Sequence, residues 1–204
     1  NFPVPPEVQA QWVTDQRVNA RGVAVDMGLV SGALALDAQT RQEHIIEAVE
    51  LTGLSNPNSV AQLSRWIQTE TGEEVTDLRK TTVVDLLGKE LPGDKVRRVL
   101  EIRQELGKTS NKKYTALEAA TCADGRVRGL LQFYGAGRTG RWAGRIVQPQ
   151  NLPRTYIDGK LLPMVRELVK QRQKDGVAAI FGSVPDTLSQ LIRTAFTAAP
   201  GHLL

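Results

Sequence analysis

Cysteine and histidine are scarce in this 204-residue sequence, which contains only Cys122, His44 and His202. A single cysteine excludes an intramolecular disulfide and suits a reducing compartment. It also excludes a cysteine-based zinc cage, and the two histidines lie far apart in the sequence. We therefore expect a cytoplasmic protein that binds no cofactor within these residues.

Long hydrophobic runs are also absent. No apolar stretch approaches the roughly 20 residues that a membrane-spanning helix needs. Residues 1–6 are rich in proline and lack the charged and then apolar order of a secretory signal. Apolar residues still make up 41% of the chain, which is enough for a hydrophobic core in one large domain or two smaller ones. We therefore expect a soluble protein without a membrane partner.

The chain has a formal net charge of +4, and its charged residues are distributed unevenly along the sequence. Residues 1–93 hold 7 Lys/Arg against 13 Asp/Glu, a net −6, whereas residues 94–154 hold 13 against 5, a net +8. Residues 155–204 hold 6 against 4, a net +2. A positive potential concentrated in one segment attracts polyanions. The middle of the chain is therefore predicted to bind nucleic acid.

The most informative part of the basic segment is 139–154, which combines arginine, glycine and side-chain amides. Arg141, Arg145 and Arg154 provide planar donors for phosphate oxygens and base edges, and glycine allows close approach of the backbone. The amides can donate to the acceptors that every base pair shows in the minor groove. The alternative interpretation is a solvated basic loop, because such loops are common.

A glycine pattern at Gly135–Gly140 matches the G-x-G-x-x-G sequence of dinucleotide-binding sites. Such a site requires a helix that opens at the last glycine, so that its N-terminus can hold the pyrophosphate. Gly144, Pro149 and Pro153 prevent a helix of useful length here. A phosphate-binding loop is excluded too, because no Lys-Ser or Lys-Thr follows the glycines.

Candidate catalytic groups are missing as well. Two-metal chemistry needs two carboxylates that converge on one point, and most of the five in 94–154 are predicted to lie on a helix surface. His44 is predicted on a helix face and His202 lies near the last residue, so neither completes a nucleophilic triad. On the residues alone, the chain binds a polyanion and catalyses no evident reaction.

Apolar periodicity predicts a mainly α fold with a small β element, an α+β class. Asn58 is the predicted cap of the third helix. Residues 21–26 and 124–134 are predicted to contain short extended pieces, and the chain is predicted to be irregular from there to Arg154. Helices are predicted over 7–19, 27–51, 59–69, 81–87, 94–118, 161–173 and 187–196.

In order, these features resemble the polymerase region of family A DNA polymerases, in particular their phage and prophage branch, over nearly the whole chain. The most specific match is Thr139-Gly140-Arg141 followed by Gln150-Asn151-Leu152-Pro153, against the family's "T-G-R-x-S-S…L-Q-N-I-P". Weaker matches precede it at 21–26 ("N-G-V-x-x-D"), 55–63 ("N-x-N-S-x-x-Q-L"), 80–87 (the thumb-tip helix) and 96–114 (the returning thumb helix).

The resemblance implies a division into two parts. Residues 1–121 would form a thumb with long antiparallel helices, and 122–204 the first part of a palm that ends just before the first catalytic strand. Residues 188–204 resemble the helix and loop that lead into that strand. The complete protein would be a DNA-directed DNA polymerase, a nucleotidyltransferase that uses Mg²⁺ and dNTPs. The 204 residues alone would be inactive, because the catalytic carboxylates would follow them.

The resemblance also implies a DNA-binding site that grips a primer–template duplex across its minor groove. Arg141 would lie under the primer terminus, and the amides at 148–151 beside the duplex. The lysines of 108–113 would contact phosphates. The complete predicted set is Lys108, Ser110, Asn111, Lys112, Lys113, Arg138, Thr139, Arg141, Arg145, Gln148, Gln150, Asn151 and Arg154.

Two departures from the family pattern are present. Trp142, Ala143 and Gly144 replace the serine-rich run after T-G-R, and residues 155–187 are an added segment. Self-association through surfaces that the rest of a palm would cover is a further expectation. Two alternatives stay open at this stage: a stand-alone module that binds nucleic acid without sequence preference, and a helical scaffold for protein partners.

Overall fold

The computed structural model describes residues 3–198 and 201, without the side chain of Thr109. Apart from Gly201, the loop at 200–204 that the resemblance singled out, including His202, lies outside the described residues. The chain divides into two compact units. Unit 1 comprises residues 1–36 and 110–204, and unit 2 comprises residues 37–109. This division differs from the boundary at residue 121, which concerns a thumb and a palm and stays a prediction.

Helices dominate the described chain, which confirms the mainly α class with a small β element. No helix among the described residues is both long enough and apolar enough to cross a membrane. The helices are α1 (Pro6–Arg21), α2 (Met27–Thr52), α3 (Val60–Thr71), α4 (Lys80–Leu87), α5 (Asp94–Leu106), α6 (Lys112–Ala120), α7 (Leu162–Lys170), α8 (Lys174–Phe181) and α9 (Val184–Leu191). The strands are β1 (Val23–Val25), β2 (Arg126–Val127), β3 (Leu131–Ala136), β4 (Arg141–Gly144) and β5 (Phe196–Thr197).

Unit 1 is built around a small antiparallel sheet in the order β2-β1-β5. Val23 lies opposite Val127, and Val25 lies opposite Phe196. The hydrophobic core beside this sheet takes buried side chains from the start of α2 and from α6, α7 and α9. Tyr114 of α6 is fully buried there, and its hydroxyl donates to the carbonyl oxygen of Leu188 at 2.7 Å. This hydrogen bond satisfies the one polar atom that the ring takes into the core.

Asp26 connects the first turn of α2 with α7. Its Oδ1 accepts from the amide of Leu29 at 3.1 Å, and its Oδ2 accepts from Arg166 at 2.6 Å and Lys170 at 2.7 Å. Burial raises the pKa of Asp26, but the hydrogen bonds from Lys170 and Leu29 and the two positive charges outweigh it, so the pKa is lowered. The carboxylate therefore stays ionised at neutral pH and keeps both cations paired.

Unit 2 contains the second half of α2 and the helices α3 to α5. Glu47 accepts two hydrogen bonds from Arg98 of α5, at 2.6 and 2.8 Å, and His44 lies 3.1 Å from Glu105. The partners run in opposite directions along α2 and α5, so the two helices are antiparallel within this unit. Leu63, Ile67, Val83, Val99 and Leu100 are among the buried residues of its separate core.

The predicted continuous helix over 94–118 is wrong, because α5 ends at Leu106 and α6 begins at Lys112. The guanidinium of Arg41 donates to the carbonyl oxygens of Leu106 and Lys108, at 3.2 and 3.3 Å. These bonds satisfy acceptors that the end of a helix leaves open. Gly107 follows directly and has a low helix propensity, so ending the helix here costs little free energy.

Other boundaries also differ from the predictions. Ser59 caps α3 instead of Asn58, since its hydroxyl accepts from the amide of Gln62 at 3.4 Å. Helix α8 was not predicted. The predicted helix over 187–196 starts earlier, at Val184, and changes at Ile192 into a 3₁₀ turn that leads to β5.

Gly32 allows α2 and α7 to approach closely, which makes it a test of packing in unit 1. A Cβ at this position would lie 2.1 Å from the carbonyl oxygen of Val169, a backbone atom that cannot rotate away. We expect Gly32→Ala to lower the free energy of unfolding by about 1–3 kcal/mol in urea denaturation. Gly28→Ala in the same helix is the control, because its nearest neighbour would be at 3.4 Å. Equal effects of the two changes would contradict the close approach.

Candidate nucleic-acid interface

The centre of the basic segment is a β-hairpin in unit 1 made by β3 and β4. Leu131 lies opposite Gly144, and Ala136 lies opposite Arg141, with an irregular register between Gln132 and Ala136. The predicted irregular structure is therefore wrong for 141–144, where four residues form a strand. Strand β4 is short and half exposed, so it lacks the apolar alternation by which strands are recognised.

Residues 137–140 form the turn of this hairpin. The amides of Thr139 and Gly140 both donate to the carbonyl oxygen of Ala136, at 3.0 Å. The glycine pattern at 135–140 thus belongs to a hairpin, and a strand follows it where a dinucleotide site would need a helix. The exclusion of a dinucleotide fingerprint agrees with this geometry.

Helix α1 holds the hairpin through two sets of hydrogen bonds. Asp15 is 4% exposed, and its Oδ1 accepts from the indole Nε1 of Trp142 at 2.8 Å while its Oδ2 accepts from Asn19 at 3.1 Å. Asn19 also donates to the carbonyl oxygen of Leu131 at 2.9 Å and accepts from its amide at 3.1 Å. Both strands of the hairpin are therefore fixed to one face of α1.

Asp15 and Asn19 are positioning residues that the sequence analysis did not single out. They lie four residues apart and so share one face of a helix that otherwise looks polar and unpartnered. Trp142 was noticed as a departure from the family's serine-rich run. A tryptophan needs a hydrogen-bond partner when its indole packs against protein, which is the signal that could have led to a buried acceptor.

The loop after β4 is fixed by its backbone and exposes its polar side chains. Val147 is fully buried in the core, and its carbonyl oxygen accepts from the Nζ of Lys113. Arg193 donates to the carbonyl oxygen of Leu152 at 2.9 Å. Ile146 and Gln148 have φ angles of 61° and 50°, in the left-handed region that such residues rarely adopt. A loop held in this way presents its side chains in a restricted geometry.

Five predicted cations are exposed in this part of unit 1. Within residues 3–198 and 201, no hydrogen bond or ion pair engages their charged groups. The five are Lys112, Arg138, Arg141, Arg145 and Arg154.

Many other basic side chains of unit 1 are occupied. Arg126 donates to the carbonyl oxygens of Arg21 and Gly22, and Arg128 forms a two-bond pair with Asp124 that lowers the pKa of that carboxyl to about 2. Arg166 is paired with Asp26, as described above. The five cations therefore leave positive charge open to an external anion, whereas the charge of these neighbours is satisfied within the protein.

The four uncharged polar residues of the predicted set within 139–151 are exposed at the hairpin turn and the following loop. Thr139 lies in the turn. The amide nitrogen of Asn151 donates to Oε1 of Gln148 at 2.9 Å, which orients both side chains. The amide of Gln150 lies against Gly144, where an added Cβ would be 2.1 Å from its Oε1. A side chain at position 144 would displace the amide of Gln150 from this place.

The predicted thumb residues are less uniform. Ser110 shares a hydrogen bond of 2.8 Å with Ser189, and Lys113 is bonded to Val147. Asn111 is 2% exposed and its amide donates to the carbonyl oxygen of Pro185 at 3.5 Å. The structure gives Asn111 no access to a phosphate, so its expected contact is unsupported. Lys108 belongs to unit 2 and is partly buried.

No three or more His, Cys, Asp or Glu side chains are grouped so as to hold a metal ion in the described part of the chain. The arrangement instead offers guanidinium and amide donors on a fixed hairpin and loop, together with the ammonium group of Lys112 at the start of α6. Such donors bind phosphate oxygens and base-edge acceptors.

Comparison with curated proteins identifies a relative of this chain. Over 191 residues, 94% of this chain, the sequence is 49% identical to a DNA polymerase of Bacillus phage SP02. The chain is similar to part of a phage DNA polymerase. It spans 29% of the length of that relative. No protein-family model and no solved structure matches the chain, so membership of family A stays a prediction.

The hydrogen bond between Trp142 and Asp15 generates a test of the anchoring. Trp142→Phe keeps an aromatic ring but leaves the buried Oδ1 of Asp15 without its indole donor. We expect the free energy of unfolding to fall by about 1–3 kcal/mol. Trp12→Phe on α1 is the control, because Trp12 is 45% exposed and makes no hydrogen bond within the described residues. A similar loss in both variants, measured by urea denaturation, would show that the bond does not stabilise the hairpin.

Proposed function

We propose that this chain is part of a DNA-directed DNA polymerase of family A, and that its hairpin and following loop bind primer–template duplex. The observation that carries the proposal is the set of five exposed, unpaired cations at 112 and 138–154. Arg141 belongs to the T-G-R motif, Arg138 lies just before that motif, and Arg154 directly follows the Q-N-L-P motif. The similarity to a phage DNA polymerase supplies the class of polyanion.

Two kinds of contact with the duplex are proposed. Arg138, Arg145, Arg154 and Lys112 bind phosphate oxygens, which hold the duplex without reading its sequence. Arg141, on the strand that follows the turn, donates to a minor-groove acceptor at the primer end. Because both minor-groove acceptors occur in every base pair, this donor checks the shape of the pair and not its identity.

The side-chain amides extend this surface. Gln148 and Asn151 orient each other, and Gln150 is held against Gly144, so the three amides lie ready beside the bound duplex and template. Thr139 contributes a hydroxyl at the turn. None of these groups carries charge, so they add orientation to a contact whose affinity depends mainly on the cations.

In this proposal, nucleotidyl transfer is carried out by the complete enzyme. Mg²⁺ and dNTPs bind to carboxylates and a fingers helix that the family resemblance places outside residues 1–204. The 204 residues alone therefore grip DNA in the cytoplasm without incorporating nucleotides. Their role is to position the primer terminus.

Salt dependence tests the phosphate contacts. The 204-residue chain should bind duplex DNA without sequence preference, and Lys112→Ala or Arg145→Ala should each lower the slope of log affinity against log salt by about 1. Lys160→Ala is the matched control, because Lys160 is exposed in the added segment and should leave the slope unchanged. Fluorescence anisotropy over a range of salt concentrations measures this. Sequence-specific binding that survives high salt would contradict the proposal.

Arg141 should behave differently from the phosphate-binding residues. In a complete polymerase that carries this sequence, Arg141→Ala should raise the barrier to primer extension by about 2–4 kcal/mol, as for the loss of a preorganised donor. Duplex affinity should change little. Single-turnover extension kinetics beside binding measurements separate the two effects. An unchanged extension rate with weakened affinity would reduce Arg141 to one more phosphate contact.

A further inference from the structure

Tyr134 occupies a conformation that bulky residues rarely adopt. It lies on β3 within the irregular part of the hairpin, with φ at 54° and 55% of its surface exposed. A left-handed backbone at an aromatic residue costs energy, and such costs are found most often at functional sites. The exposed ring adds nothing to the core, so the fold gains little from a tyrosine at this position.

The ring of Tyr134 is nevertheless held in place. One side packs on Gly140 of the turn, where an added Cβ would lie 2.9 Å from the ring carbon Cε1. The ring of Phe133 makes an edge contact with it at 5.1 Å between centroids, and Phe133 in turn contacts Trp142 at 5.5 Å. Trp142 is anchored to Asp15. The ring is thus preorganised, with most of its surface open to a ligand.

The surroundings of the ring select the ligand. Gly140, on which the ring packs, lies between Arg138 and Arg141 in the sequence. Both residues are exposed, and their guanidinium groups have no hydrogen bond or ion pair in the part of the chain that the structure describes. An aromatic surface beside free cations matches a nucleic-acid strand, which offers base faces beside phosphates. Inside a duplex both faces of each base are already stacked, so an external ring can stack only on a base that is unpaired or terminal.

We propose that Tyr134 stacks on an unpaired nucleobase of single-stranded DNA at the edge of the duplex, while Arg138 binds a phosphate of the same strand. This subsite rests on the proposed function, since it needs DNA on the hairpin. It adds a preference for duplex with a single-stranded extension. The preference depends on the presence of bases and not on their sequence, because every base has a face that can stack.

Binding of the 204-residue chain to two labelled DNAs tests this subsite. Both carry the same duplex and a four-nucleotide extension, which is thymidine in one and abasic in the other, so the number of phosphates is equal. The wild-type chain should bind the thymidine extension roughly tenfold more tightly. Tyr134→Asn should remove this difference, because asparagine tolerates the left-handed backbone but offers no ring. Tyr134→Phe should keep it.

Tyr156→Ala is the matched control, because Tyr156 is 80% exposed in unit 1 and has no aromatic neighbour that fixes its ring among the described residues. It should leave the difference intact. Equal wild-type affinity for the two extensions, with salt-dependent duplex binding retained, would overturn the stacking subsite and leave the proposed function standing. If the wild-type chain bound neither DNA, the stacking subsite and the proposed function would both be overturned. A difference that persists in Tyr134→Asn would assign stacking to another residue.

Discussion

The buried carboxylate of Asp15 fixes the part of the molecule on which the functional account depends. It accepts hydrogen bonds from the indole of Trp142 on β4 and from the amide of Asn19 on its own helix. Asn19 in turn donates a hydrogen bond to the carbonyl oxygen of Leu131 on β3. A two-stranded hairpin is marginally stable by itself in water. Its attachment to α1 gives the turn, Arg141 and the ring of Tyr134 a defined position. Without that attachment, the same side chains would be a mobile basic loop.

The cations of the interface differ from several other basic side chains of unit 1 in how their charge is satisfied. The guanidinium groups of Arg126, Arg128 and Arg166 donate hydrogen bonds to carbonyl or carboxylate oxygens of the protein. Within residues 3–198 and 201, the cations of 138–154 make no such bonds, although the loop that carries part of them is held in place at Val147 and Leu152. Exposed like charges that are close in sequence repel one another, and an anionic ligand relieves this cost. The electrostatic repulsion among these cations is therefore lower with a polyanion bound than without one.

The sequence predicted the class of the fold and most of its helices because these depend on local apolar periodicity, as in α2 and α3. It failed where a distant residue decides the outcome. Arg41 caps α5 from 65 residues away, and within 94–118 the single Gly107 is too weak a signal to predict the break. Likewise β4 exists because β3 pairs with it, and its own residues carry no strand signal.

The candidate site was predicted unevenly for the same reason. The arginines and amides of 138–154 are exposed, as composition and motif suggested. Burial of Asn111 and the bond between Lys113 and Val147 depend on packing against elements far along the chain, so no local pattern revealed them. The anchoring pair Asp15 and Asn19 was missed because its partners lie more than 100 residues away.

The most direct test of the central claim is an NMR titration of the 204-residue chain with a short duplex at low salt. If the hairpin and loop bind DNA, the largest shifts fall on the amides of 138–145 and on the side-chain signals of Arg138, Arg141 and Arg145. The signals of α7 and α8 should move little. Large shifts confined to α7 and α8, with the hairpin unchanged, would contradict the account.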